Sequence, residues 1–129
     1  MGTLTILVLN GPYSSRHPEL ACEIAEEALK KGHGVNMIFY MDGVHVPKKG
    51  QVPKDFKTIS EALTRLLEKK GFNAVACEMS AHARGYVKGE ADASGIYPTD
   101  EYVDGVKIMS IHEFGKSVKG SEKIIALNV

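Results

Sequence analysis

Phe72-Asn73-Ala74-Val75-Ala76-Cys77-Glu78-Met79-Ser80-Ala81-His82-Ala83-Arg84-Gly85 is the stretch on which the reading of this chain turns. Its first six residues form an apolar run of the length of a buried strand. The next eight, ending in glycine, read as a short helical turn with a C-terminal stop. A strand passing straight into a helix is the unit of an α/β sheet, and such sheets place their ligand crevice outside the carboxyl ends of the strands. Cys77 stands at that junction. Helix N-terminal amides and the nearby Arg84 would both favour the thiolate, the reactive form of cysteine. Free cysteine is also among the most buried residue types, so a space-filling role for Cys77 stands beside the reactive one.

The same alternation extends to both ends of the chain. Thr3–Leu9 is a continuous apolar and β-branched run, expected as a strand buried on both faces. After the loop Asn10–Ser15, Pro18 suits the first turn of a helix whose Leu20, Ala21, Ile24, Ala25 and Ala28 share one stripe. Lys30, Lys31 and Gly32 suit its end. Val35–Tyr40 is a second strand, ending at Met41–Val44, and the segment from His45 to Pro53 reads as an exposed loop. Asp55 can cap a helix carrying Phe56, Ile59, Leu63, Leu66 and Leu67 on one face, ended by Gly71. Val106–Met109 is a short fourth strand. Ser110 with Glu113 resembles a capping box for a helix ending near Gly120, and Lys123–Leu127 is the fifth strand. Five strands separated by helices predict one domain, residues 1–129, with a parallel sheet and helices on both faces.

Bulk properties narrow the function. The chain has 129 residues, enough to bury roughly two-thirds of its unfolded surface. Sixteen basic and sixteen acidic residues cancel, so no broad positive field points to nucleic acid or to an anionic membrane. The N-terminus lacks a basic region and a cleavage site, and Ile6 breaks the myristoylation pattern at Gly2. Cys22 and Cys77 form neither a CxxC pair nor a disulfide framework, which leads us to expect free thiols in a reducing cytoplasm. The five histidines have no zinc-ligand spacing, so no metal is expected.

Three loops, Asn10–Ser15, Met41–Pro53 and Glu78–Gly105, should share the carboxyl rim with Cys77, whereas Cys22 falls on the flank of the first helix and reads as structural or surface. Arg84 is the candidate for steadying an anionic sulfur, beside a plain surface role covering the helix end; His82 could exchange protons with the thiol but reads better as an exposed helix histidine; Ser80 could hydrogen-bond the sulfur but reads better as capping the turn. Asn10-Gly11-Pro12-Tyr13 occupies the place of a phosphate loop but lacks its glycine pattern, and Pro12 removes an amide donor. A loop shaping the site through Asn10, Gly11 and Tyr13 is the better reading, with no nucleotide cofactor. Asp42-Gly43 reads as a tight turn. The long Gly85–Gly105 segment carries Tyr86, Tyr97 and Tyr102, an aromatic content expected of a subunit or partner contact.

Asn10-Gly11-Pro12-Tyr13, Lys31-Gly32-His33, Phe39-Tyr40-Met41-Asp42-Gly43-Val44, and Cys77 followed by Arg84-Gly85 occur in an order and spacing that resemble the DsrE/TusD family of sulfur-relay proteins. The resemblance spans nearly the whole chain. It implies a three-layer α/β/α domain on a five-stranded, mainly parallel sheet. It implies trimers or hexamers, of one chain or with sister subunits, and donor and acceptor proteins as partners. It further implies that Cys77, the position of the sulfur-carrying cysteine in TusD-type members, holds sulfane sulfur as a persulfide. The alternative is a non-catalytic subunit that scaffolds such a complex or binds a small ligand at the same rim.

Overall fold

The computed structural model describes residues 2–110, 112, 115, 116 and 119–127. Its strands are β1 (Thr3–Val8), β2 (Gly34–Phe39), β3 (Phe72–Cys77), β4 (Lys107–Met109) and β5 (Lys123–Leu127). Between them lie the helices α1 (His17–Lys30), α2 (Ile59–Leu67) and α3 (Glu78–Ala83), with a 3-10 turn at Met41–His45. The strands form one sheet in the order β4-β3-β2-β1-β5, and all four ladders are parallel. The expected α/β fold is therefore present, with a sheet that is wholly parallel.

Side-chain alternation along each strand sorts the sheet into two faces. Ile6, Val8, Val35, Met37, Phe39, Ala74, Ala76 and Ile108 join Ala21, Cys22 and Ala25 of α1 and Ile59, Leu63 and Leu66 of α2 in one core. Leu63 is fully buried there, so truncating it to alanine would cost about 2–5 kcal/mol. The opposite face carries a smaller cluster of Ile38 and Cys77, with Leu7, Tyr40 and Val75 packed against it. The β1 to β4 connections step one way across the sheet. Strand β5 pairs with β1 on its far side, and Thr5 of β1, like Leu7, points to the second face. Ser121, just ahead of β5, meets the buried Thr5 hydroxyl on that face.

Two expectations shift. Helix α2 begins at Ile59 with Thr58 as its N-cap, several residues past Asp55. Tertiary contact explains the delay: Ile59 N–H donates to the Tyr13 hydroxyl at 3.2 Å, so a first-turn donor is satisfied from another segment. Phe56 consequently stays outside the core, 66% exposed. The Gly85–Gly105 segment also differs from expectation. Tyr86 and Tyr102 are buried in the chain's own core, and antiparallel bridges tie Tyr97 to Ile108 and Tyr102 to Lys48. Tyr86 and Tyr102 thus join the main core, and Tyr97 packs against it. The Ser110/Glu113 capping box depends on Glu113, which lies outside the described residues.

Candidate functional site

The parallel register aligns the strand ends, so that Val8, Phe39, Cys77, Met109 and Leu127 mark one carboxyl edge. Each chain segment leaving that edge contributes to the rim. The tightest crossing is at Gly43, in the turn that leaves β2 and passes over the end of β1. A Cβ there would collide with the Val8 carbonyl oxygen and lie 2.8 Å from its carbon. Only glycine permits this approach. Tyr40 N–H donates to that same Val8 oxygen at 3.0 Å, which locks the turn to the sheet.

Cys77 is both the last residue of β3 and the N-cap of α3. Its side chain is wholly buried on the second face, in the cluster with Ile38, Leu7, Tyr40 and Val75. Helix α3 is held against the turn after β2 by a compact polar set. Arg84 donates to Asp42 Oδ1 through Nε at 3.0 Å, pairs with the same oxygen through Nη2 at 3.0 Å, and donates to the Ser80 carbonyl through Nη1 at 3.1 Å. Met41 N–H donates to Ser80 Oγ at 3.0 Å, and Met41 itself is held at φ +52°. Ser80 and Arg84 are therefore brought together, but on Asp42 and the backbone. Among the described residues neither has a hydrogen bond to the Cys77 sulfur. Ser80 is 6% exposed, so its hydroxyl is an internal fastening rather than a cap open to ligand.

The remaining candidates lie apart from this set. His82 Nδ1 is 2.7 Å from Glu78 Oε2 and 2.8 Å from the Glu78 carbonyl, with its ring edge-on to Tyr97. It is committed within its own helix turn. Asn10 Oδ1 lies 2.7 Å from His17 Nδ1, and the Gly11 carbonyl accepts from Ser14 Oγ, so both shape the β1–α1 loop. Tyr13, at φ +67°, reaches away to donate to Gln51 Oε1 at 2.7 Å. Composition and spacing missed the pairing of His45 with Tyr86 across the rim. His45 Nδ1 is 2.6 Å from the Tyr86 hydroxyl, and its Nε2 is 4.0 Å from Asp42. No local pattern could pair residues so far apart in sequence.

The surroundings of Cys22 are electrostatically distinct. Burial pushes the Cys22 thiol up to about 12; Arg65 opposes this, and Glu23, Glu19 and Glu26 reinforce it. Cys22 is 6% exposed between α1 and α2, a structural position. Burial also raises the phenols of Tyr86 and Tyr102, and the Tyr102 hydroxyl donates to the Val44 carbonyl at 2.6 Å. At the edge of the rim, Glu101 is lowered by its bond to Lys88 at 2.9 Å. Among the described residues no cluster of histidine, cysteine and acidic side chains has the arrangement of a metal site. No described helix is long and apolar enough to cross a membrane.

Comparison with known proteins agrees with this architecture. A putative sulfurtransferase, DsrE of Allochromatium vinosum, is 34% identical over 96 residues, covering 68% of this chain and 74% of that protein. An uncharacterized protein of Methanopyrus kandleri is 27% identical over 122 residues, covering 95% of this chain and 91% of its own length. The solved structure of the YchN protein of E. coli superposes with a TM-score of 0.75 at 20% identity, covering 98% of this chain and all of that one, a likeness of fold. The model of the DsrE/DsrF-like family matches residues 3–127, and the chain belongs to that family.

Proposed function

We propose that this protein is a sulfur-relay component that carries sulfane sulfur as a persulfide on Cys77 and passes it to a partner thiol. The observation that carries the reading is the placement of Cys77 at the β3–α3 junction, on the carboxyl edge of the sheet, in a chain of this family. A relative named as a putative sulfurtransferase supports the sulfur-relay role. The chemistry is thiol exchange. The Cys77 thiolate attacks the outer sulfur of a donor persulfide; a new S–S bond forms and the donor thiolate departs. An acceptor thiolate then attacks that same sulfur, and Cys77 leaves as thiolate. The two steps are redox-neutral and call for no metal or nucleotide.

The residues around α3 act on this chemistry through position. Arg84 and Ser80 hold α3, and with it Cys77, against the turn after β2. Arg84 is thus a positioning residue, its guanidinium held by Asp42 and the Ser80 carbonyl. Donor and acceptor proteins, oligomeric assembly and a cytoplasmic setting complete the proposal. A second reading has one observation behind it. Cys77 is wholly buried in this conformation, as a scaffold or ligand-binding subunit would tolerate. Polysulfide treatment followed by intact mass spectrometry separates the two. A carrier gains reducible increments of one sulfur atom, lost in Cys77→Ser and kept in Cys22→Ala. A scaffold gains none.

A further inference from the structure

Thiol exchange needs a sulfur that another sulfur can approach, and Cys77 is wholly buried. Part of the chain beside it must move before it reacts. Helix α3 is built to do so. Of its six residues only Ser80 and Ala81 are buried, so little apolar surface holds it down. It grows directly out of Cys77, and a swing of α3 therefore turns about the thiol-bearing residue itself. Past its other end stands Gly85, at φ +82° with open space where a side chain would be. Beyond that hinge the chain is fixed again, with Tyr86 buried and its hydroxyl 2.6 Å from His45 Nδ1. A short, weakly packed helix between two anchored ends belongs to the low-stability part of a fold.

Polar fastenings close α3 onto the turn after β2. One is Arg84 on Asp42, whose carboxylate is largely exposed. The other is Ser80 Oγ, which accepts the Met41 N–H at 3.0 Å while Met41 sits in the left-handed region at φ +52°. His82 adds one edge-on ring contact with Tyr97. An exposed ion pair and a hydrogen bond from a strained backbone cost little to release. We propose that these fastenings are a latch over the thiol. Cys77 is reached through a local opening in which Arg84 leaves Asp42, Ser80 leaves Met41, and α3 swings about Cys77 and Gly85. The sheet and helices α1 and α2 stay folded throughout. Closed, the latch keeps the sulfur out of solvent between encounters with other thiols. The use of this gate in sulfur transfer rests on the function proposed above; the gate itself does not.

The test is native-state labelling. Iodoacetamide is added to the folded chain, the remaining thiols are capped after unfolding with a mass-coded reagent, and peptide mapping reads both cysteines in one sample. Cys22, buried in the main core, reports global unfolding. Cys77 should react at least about tenfold faster than Cys22, yet slower than in the urea-unfolded chain, at a rate that low urea hardly changes. Arg84→Ala and Asp42→Ala should each quicken Cys77 by about three- to fivefold, the range of an exposed ion pair. Ile59→Val is the control. It thins the main core, which the open state keeps, so it should quicken Cys22 by about fivefold and leave Cys77 unchanged. Equal rates and urea slopes for the two thiols overturn the proposal. So does a Cys77 rate equal to that of the unfolded chain, or one that the latch variants leave as in wild type or that Ile59→Val raises. Polysulfide loading keeps the two claims apart. Gated labelling of a Cys77 that takes up no sulfur sinks the relay and leaves the gate. Sulfur uptake on a Cys77 whose labelling ignores the latch does the reverse.

Discussion

Removing the Cys22 thiol should flatten the alkaline limb of the stability curve. Cys22 has an ordinary value of 9.0 and is pushed to about 12 in the folded chain, first by burial. A raised value means that the folded state keeps the proton which the unfolded state has lost. The stabilisation is fully present below about pH 9 and is lost as pH rises from there towards about 12. Each pH unit in that window removes about 1.4 kcal/mol. Between about pH 8 and about pH 10.5 the loss assignable to Cys22 is about 2 kcal/mol. Tyr86 and Tyr102 add loss in the same direction, so the comparison must be between proteins that share them. Urea unfolding of wild type and Cys22→Ala at a series of pH values isolates the thiol. The variant should start about 1 kcal/mol less stable from lost packing. The gap should then close and reverse as pH rises. Parallel curves over the whole range would refute the burial argument.

Other perturbations test the rim. Gly43→Ala forces a methyl into the Val8 backbone and should cost about 3 kcal/mol, a drop of about ten degrees in thermal midpoint. Tyr102→Phe leaves the Val44 carbonyl without its donor and should cost about 1–2 kcal/mol by urea titration. Arg84→Ala breaks a pair whose Asp42 partner is 67% exposed, so stability should fall by about 1 kcal/mol or less. Hydrogen exchange of the Met41 amide should nevertheless quicken as α3 loosens from the turn.

The strands were legible because their signals are local. Phe72–Cys77 and Lys123–Leu127 are apolar runs whose bounds read directly from the sequence, and the alternation with helices dictated a parallel sheet. Helix α2 was misplaced at its start because its first donor is satisfied by Tyr13, a residue far away in sequence. The tyrosines of the long segment looked like interface residues because composition does not reveal which core an aromatic side chain fills. The candidate site was legible at Cys77, which marks a strand–helix junction. Its neighbours were not. Arg84 is drawn to Asp42 rather than towards the sulfur, and His45 finds Tyr86, through packing of separate rim segments that no spacing encodes.

The most direct measurement of the central claim follows one sulfur atom on and off Cys77. Isotopically labelled polysulfide loads the protein, and rapid alkylation then traps any persulfide for peptide mapping. The label should map to the peptide containing Cys77, remain absent from that containing Cys22, and discharge when a second thiol is added before trapping. A Cys77 peptide that never carries the label, or carries it without releasing it to a thiol, would contradict the relay.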